Sequence, residues 1–405
     1  MRLLCLSNGH GEDIIAVRIL QALQQLPNCP EIAALPIVGE GHFYQKAGIP
    51  VIGTVKAMPS GGFVWMDSRQ LARDLQGGLV QLTIAQIKTM RSWAKEGGLI
   101  LAVGDIVPML FAWLSGAPFA FVGTAKSEYY IRDEKGWLPR QSWWDDRLER
   151  WTGCIYQPWE RWLMTRPQCK AVFPRDRITA TTLKRFGIPA FDLGNPMMDG
   201  LAAEVEPDQE LTIALIPGSR IPEIYANWEI ILQSLDGMLR QMGKPFKGIA
   251  AIAPGIELGE LEHTLQEYRW QKVQENTYVN GSGQNKAALE LMPGRFAECI
   301  QKATIAIAMA GTATEQFIGL GKPAFIIPGA GPQFNPQFAE AQTRLLGMSV
   351  TLVEQPKQMA SAINMLFDDP DRLRAIAENG RRRMGEPGAA NRIAQQLAEL
   401  SAEVF

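Results

Sequence analysis

Residues 305–329 read IAIAMAGTATEQFIGLGKPAFIIPG, and the order of elements in this stretch decides the fold. The apolar run Ile305-Ala306-Ile307-Ala308 suits a strand buried on both faces of a parallel sheet. Ala310-Gly311-Thr312 makes a tight turn of small residues. A helix follows to about residue 320, stopped by Gly321 with Pro323 just beyond. Residues 324–327 form a second apolar strand. Unpaired N–H groups at the helix N-terminus and the helix dipole both favour negative charge, so the turn suits phosphate. Thr312 and Thr314 belong to this helix start. Glu315 and Gln316, also in its first turn, can bond sugar hydroxyls beside that phosphate. Taken alone, the stretch serves equally well as a plain βαβ unit with a Thr cap.

Two neighbouring segments add to it. Residues 212–216 form a strand, Pro217-Gly218-Ser219-Arg220 a turn and 223–242 a helix. Gly218 and Ser219 allow close backbone approach and hydroxyl donation, and Arg220 brings a fork of donors matched to a diphosphate. Beyond residue 329, Gln333, Asn335 and Glu340 place amides and a carboxylate near the start of a helix expected over 337–346. In a parallel sheet, turns at the carboxyl ends of strands face one crevice. Jointly the three loops indicate a nucleotide-sugar diphosphate site. The rest of this half reads as strand 248–253, helix 257–267, an irregular stretch holding Gly281-Ser282-Gly283, helix 295–302, strand 349–353 and helices near 356–367, 370–383 and 388–403.

The first half has the same grammar: strand 2–7, a Gly turn, helix 12–25, strand 32–38, helix 42–47 and strand 51–55, a βαβαβ run that implies a doubly wound parallel sheet. A long helix or helix pair covers 68–95. Strand 99–103, helix 106–115 and strand 118–122 follow, then strands 171–173 and 191–193 around helix 178–186. The turn Asn8-Gly9-His10-Gly11-Glu12-Asp13 lacks a full GxGxxG. It does set His10 and Asp13 at the crevice, where a general base belongs. Asp105 is the one charge between residues 99 and 123. It is costly to bury unless paired or at a cavity edge, and it suits either a helix cap or a site carboxylate. The acidic, proline-bearing EVEPDQE at 204–210 is the linker between the halves.

Composition narrows the class. A chain of 405 residues is long enough for two or three domains. Forty Lys and Arg against 42 Asp and Glu, with no basic tail or zinc-finger spacing, exclude a nucleic-acid binder. Five scattered cysteines without CxxC fit a reduced, cytoplasmic protein with no disulfide framework or structural zinc, and three histidines argue against a His-rich metal site. The N-terminus has no signal-peptide pattern, and 99–123 is too punctuated by Gly and Pro for a membrane span. Residues 126–186 hold six of the eleven tryptophans and 13 Lys and Arg against eight Asp and Glu. Aromatics beside cations suit a membrane–water interface, here joined by Phe63 and Trp65, and equally the packing of a helical subdomain.

Several motifs now line up. Ile216-Pro217-Gly218-Ser219-Arg220 with Glu223-Ile224 resembles the LPGSRxxEI signature of lipid-A-disaccharide synthase. Ala310-Gly311-Thr312-Ala313-Thr314 resembles that family's SGTAT segment, Leu193-Gly194-Asn195-Pro196-Met197 its VGHPL and Gly11-Glu12-Asp13 its SGD. The match covers roughly 190–330. The resemblance implies an α/β fold of the GT-B class, two Rossmann-like doubly wound parallel-sheet domains facing a central cleft. The expected domains are 1–203 for the acceptor, including the Trp-rich region, and 204–385 for the donor. The last helix, 386–405, packs back on the first domain. It implies inverting transfer from a UDP-sugar to a lipid or lipid-linked acceptor, without metal or other cofactor, by a peripheral protein at the cytoplasmic face of a membrane. His10, Asp13 and Asp105 are then candidate bases, Arg220, Ser219, Gly311 and Thr312 diphosphate ligands and Glu315 the ribose ligand. The family's ribose glutamate falls at Gln316 here, the family's C-terminal loop is replaced by residues 331–335, and the Trp-rich region and His10 have no counterpart. A UDP-N-acetylhexosamine 2-epimerase and a non-catalytic nucleotide-sugar-binding protein are the alternatives.

Overall fold

The computed structural model describes residues 2–56, 79–139, 150–201, 211–329, 331 and 334–404. The chain divides into two compact units, Met1–Asp199 with Glu386–Phe405, and Gly200–Gly385. Phe63, Trp65, Trp143, Trp144, Gln333, the 68–78 part of the helix or helix pair expected over 68–95 and the expected linker lie outside the described residues.

In the first unit the strands are β1 (Arg2–Ser7), β2 (Glu31–Pro36), β3 (Leu99–Gly104), β4 (Phe119–Gly123), a two-residue hairpin of β5 (Arg132–Asp133) and β6 (Gly136–Trp137), and β7 (Cys169–Pro174). Five of them form one parallel sheet in the order β2-β1-β3-β4-β7. Their residues are almost entirely buried, as expected of a sheet covered by helices on both faces. The expected strand over 51–55 reduces to one parallel bridge, Val51 to Ala34, because Gly53 turns left-handed (φ +76°) and ends the pairing. The expected strand over 191–193 likewise reduces to a bridge between Ala190 and Val172.

The second unit holds β8 (Thr212–Ile216), β9 (Phe246–Ile252), β10 (Gln271–Gln274), β11 (Thr277–Ser282), β12 (Asn285–Pro293), β13 (Ile305–Ala308), β14 (Ala324–Ile326) and β15 (Val350–Leu352). The sheet runs β10-β11-β12-β9-β8-β13-β14-β15. Its six parallel strands, counted within the unit, take the doubly wound order 3-2-1-4-5-6. Winding reverses between β8 and β13, the point at whose carboxyl ends a doubly wound sheet leaves a crevice. The stretch expected to be irregular is a sheet extension: β10 and β11 add antiparallel strands, and Gly281 and Gly283 (φ +80° and +60°) turn the chain into β12.

The last helix, Ala389–Val404, belongs to the first unit and packs on helix His10–Gln24. Ala390, Ile393, Ala394, Leu397 and Leu400 enter the same core as Ile15, Ile19 and Leu23. Asp199 holds its start: the carboxylate accepts from the backbone N–H of Gly388 at 2.5 Å, Ala389 at 3.2 Å and Ala390 at 2.7 Å. Those amides have no partner within the helix, and the negative charge opposes the helix dipole. Asp199→Ala is expected to lower unfolding stability by about 1–2 kcal/mol in urea titration, with part recovered in Asp199→Asn. A change below about 0.3 kcal/mol would show that the cap contributes nothing.

Candidate functional site

At the reversal point of the second sheet, three loops lock together. Gly218 ends the turn after β8 with φ +98°, and a Cβ on it would stand 3.5 Å from the carbonyl oxygen of Met309, just past β13. Asn227 stands on helix Glu223–Gln241, otherwise buried through Ile224, Trp228 and Ile231, and its Nδ2 donates to Pro217 O at 2.9 Å. Gly329 presses on the same asparagine: a Cβ there would come within 2.9 Å of Asn227 Oδ1 and 3.3 Å of Phe334 O. Gly331 packs against the Glu223 side chain. Gly311 lies against Phe338, whose ring would be 3.1 Å from an added Cβ. Ser219, Arg220 and Thr312 are exposed around this junction.

Helix Thr312–Gly319 starts at Gly311, and Thr314 Oγ1 donates back to Ala310 O at 2.5 Å. Glu315 is only 5% exposed, and Gln342 Nε2 donates to its Oε1 at 3.4 Å from helix Pro336–Leu346. Gln316 is half-buried beside it. Asn335 is the N-cap of helix Pro336–Leu346, accepting from Phe338 N at 2.8 Å. Glu340 forms a two-pronged pair with Arg344, at 2.9 and 3.0 Å, which fixes its carboxylate along the helix. The arrangement gathers Gly218, Ser219, Arg220, Gly311, Thr312, Thr314, Glu315, Gln316 and Asn335 at one end of one sheet.

The first sheet reverses between β1 and β3, and carboxylates collect there. Asp105 caps helix Ile106–Ser115, its Oδ1 accepting from Val107 N at 2.8 Å and Asn8 Nδ2 at 3.0 Å. Burial raises its pKa above the usual carboxylate range, against the pull of Lys126. Asp13 Oδ1 accepts from Ser7 Oγ at 2.5 Å, and Ser7 accepts from Tyr44 OH at 2.6 Å. Asp13 is 5% exposed, and burial pushes it up to about 6. Glu12 accepts from Thr124 Oγ1 at 3.4 Å, and burial, then the charges of Asp105 and Asp13, raise its pKa. His10 begins helix His10–Gln24 on its exposed side, with its ring edge-on to Phe43 at 4.5 Å between centroids. Glu12 was not singled out from the sequence, although two acids directly after a Gly-rich turn are the signal for it. Asn227 and Gln342 were also missed, being set by contacts between elements far apart in the chain.

No protein-family model matches the chain, and no curated protein does. Solved structures do. The calicheamicin glycosyltransferase CalG4 aligns over 100% of this chain and 98% of its own, with TM-score 0.60 at 13% identity. MurG of Acinetobacter baumannii aligns over 98% and 99%, with TM-score 0.59 at 14% identity. The UDP-GlcNAc 2-epimerase of Neisseria meningitidis, bound to UDP-GlcNAc, aligns over 98% and 100%, with TM-score 0.57 at 13% identity. The fold is of the GT-B type. Glycosyltransferases and epimerases share it, so this fold alone does not choose the reaction. The lipid-A-disaccharide-synthase resemblance rests on the motifs.

The Asp13 proton gives a check on the first crevice. The folded state holds it up to about pH 6, whereas an unfolded aspartate releases it near 4, so stability falls as pH rises through that window. Asp13→Asn keeps the acceptor for Ser7 and removes the ionisation. It is expected to stabilise the protein by up to about 3 kcal/mol above pH 7 and by almost nothing near pH 4 in urea titrations. Equal midpoint shifts at both pH values would disprove the assignment.

Proposed function

We propose that the protein is an inverting, metal-independent glycosyltransferase that moves a sugar from a UDP-sugar to a lipid or lipid-linked acceptor, resembling the lipid-A-disaccharide synthases. It would work as a peripheral protein at the cytoplasmic face of a membrane. One observation carries the reading: the three loops joined through Asn227, Met309 and Gly329 surround a helix N-terminus at the reversal point of the second sheet. That is where a doubly wound sheet binds nucleotides, and the groups present suit a diphosphate.

In this reading Arg220, Ser219 and the amides at Gly311 and Thr312 hold the diphosphate and stabilise the charge that grows on it as it leaves. These donors supply the positive potential that a metal supplies elsewhere. Glu315, steadied by Gln342, and Gln316 take the ribose hydroxyls. Asp105 is the base. It is half-buried and held by Asn8 and Val107, and its raised proton affinity is the direction that proton abstraction needs. It takes the acceptor hydroxyl proton as the oxygen attacks the anomeric carbon from the face opposite the diphosphate. Asp13 sits deeper and His10 is exposed, which leaves both less suited to the role.

The carboxylate trio favours a second reading. Burial raises the proton affinity of Glu12, Asp13 and Asp105, and neighbouring carboxylates shifted in that direction are groups from which epimerisation at a sugar carbon can draw an acid and a base. Incubation with UDP-N-acetylhexosamines and no acceptor decides between them. Isomerised donor establishes the epimerase, and product formed only with a lipid-linked acceptor establishes the transferase. UDP binding with neither reaction leaves a binding protein.

Arg220→Ala is expected to weaken UDP binding about 10- to 100-fold and to lower turnover with it. Asp105→Asn is expected to lower kcat by about 100-fold or more while UDP affinity, read by calorimetry, stays the same. Unchanged UDP affinity in Arg220→Ala removes the arginine from the donor site.

A further inference from the structure

The groups given to the nucleotide leave one neighbour without a task. Helix Pro336–Leu346 meets the start of helix Thr312–Gly319 at two points. Gln342 Nε2 donates to Glu315 Oε1 at 3.4 Å. Phe338, four residues before Gln342, stands at Gly311, four residues before Glu315. Cζ and Cε1 of its ring would lie 3.1 and 3.6 Å from a Cβ on Gly311, and Gln342 Nε2 4.0 Å. Residues four apart share one face of a helix, so Gln342 and Phe338 address the same side of the turn. Gln342 marks the end at Glu315, and Phe338 marks the end at Gly311.

The ring is held from behind. Phe334 is 4% exposed, and its centroid lies 5.4 Å from that of Phe338 with the planes tilted by 58°. Gly329 N donates to Phe334 O at 2.7 Å and closes the loop after β14, and Phe338 N donates to Asn335 Oδ1 at 2.8 Å. Phe338 itself is half-buried, so part of the ring is packed and part is open. A half-buried phenylalanine on a helix is ordinary packing. Gly311 sets this one apart. Its φ of −80° does not call for glycine, so the missing side chain serves the close approach of the ring to the turn that offers its amides to a diphosphate.

Ribose and sugar leave a diphosphate from its opposite ends. With the ribose at Glu315 and the diphosphate at Gly311, the sugar extends past the helix start, on the side where Phe338 stands. A pyranose has a face of C–H bonds, and the π face of an aromatic ring carries partial negative charge that attracts C–H groups and repels a carboxylate. We propose that Phe338 is a specificity-determining residue for the donor, its ring a platform for the C–H face of a neutral pyranose and against a uronate. This rests on the UDP-sugar reading above for the diphosphate and adds to it the class of sugar. It holds for transfer and for epimerisation alike, since both begin from the bound donor.

The test is calorimetric binding of UDP, UDP-glucose, UDP-N-acetylglucosamine and UDP-glucuronate, with no acceptor present. The wild type is expected to bind at least one neutral donor about tenfold or more tighter than UDP-glucuronate. Phe338→Ala is expected to weaken that neutral donor about three- to tenfold, to leave UDP within about twofold and to narrow the gap to UDP-glucuronate. Phe338→Tyr keeps the ring and should restore the wild-type ratios, which shows that the loss in Phe338→Ala is not a folding defect. Gln337→Ala, at an exposed neighbour on the same helix, should change nothing. Equal weakening of UDP and the neutral donor in Phe338→Ala overturns the proposal, because the ring then only supports the turn. Unchanged ratios overturn it too, and leave the donor site standing wherever UDP binds. UDP-glucuronate bound by the wild type as tightly as the neutral donors overturns the sugar class. A wild type that binds none of the four removes the UDP-sugar reading itself, and the platform falls with it.

Discussion

A parallel sheet whose winding changes direction has nowhere to put a connecting segment at the point of change, and both crevices described here follow from that. In the second unit the chain leaves β8 toward β9 and leaves β13 toward β14, so the two loops diverge and the carboxyl ends of the middle strands stay open. The hydrogen bond from Asn227 to Pro217 and the close approach of Gly329 to the same side chain keep that opening in shape. Remove the reversal and the helix start at Gly311 is one more covered turn.

The first unit applies the same constraint to different residues. Its opening collects Asp13, Asp105 and Glu12 where the second collects Arg220, hydroxyls and backbone donors. Polarity follows from what stands at the first helical turn in each case. The second unit leaves its helix start facing outward with Gly and Thr, which favours an anion. The first puts acids at that place and meets part of their cost with local donors: Ser7 for Asp13, Asn8 and Val107 for Asp105, Thr124 for Glu12.

Much of this was legible because parallel strands spell themselves as short apolar runs ended by Gly or Pro. Residues 212–216 and 305–308 were read to the residue, as was helix 106–115. The misses have physical causes. Residues 285–293 alternate with Ala287, Leu289 and Leu291 buried, but the preceding Gly281-Ser282-Gly283 looked like a loop and hid a hairpin. Residues 51–55 have strand-forming valines, yet Gly53 takes a left-handed turn that no neighbour predicts. Within the site, the helix start was visible locally, whereas the Glu315–Gln342 bond and the Glu340–Arg344 pair depend on how the helix after β14 is placed and turned. The edge-to-face contact of Trp113 and Trp162 was not visible, because the two helices that make it are far apart in the chain.

The segment ending at Asp199 and the helix it caps belong to one body, though 186 residues of the other unit lie between them. Synthesis is vectorial, so the first 199 residues emerge before the element that completes their core. Until helix Ala389–Val404 leaves the ribosome, the groove beside Ile15, Ile19 and Leu23 has no tenant. The nascent first unit therefore waits, with apolar surface uncovered, for the whole second unit to be made.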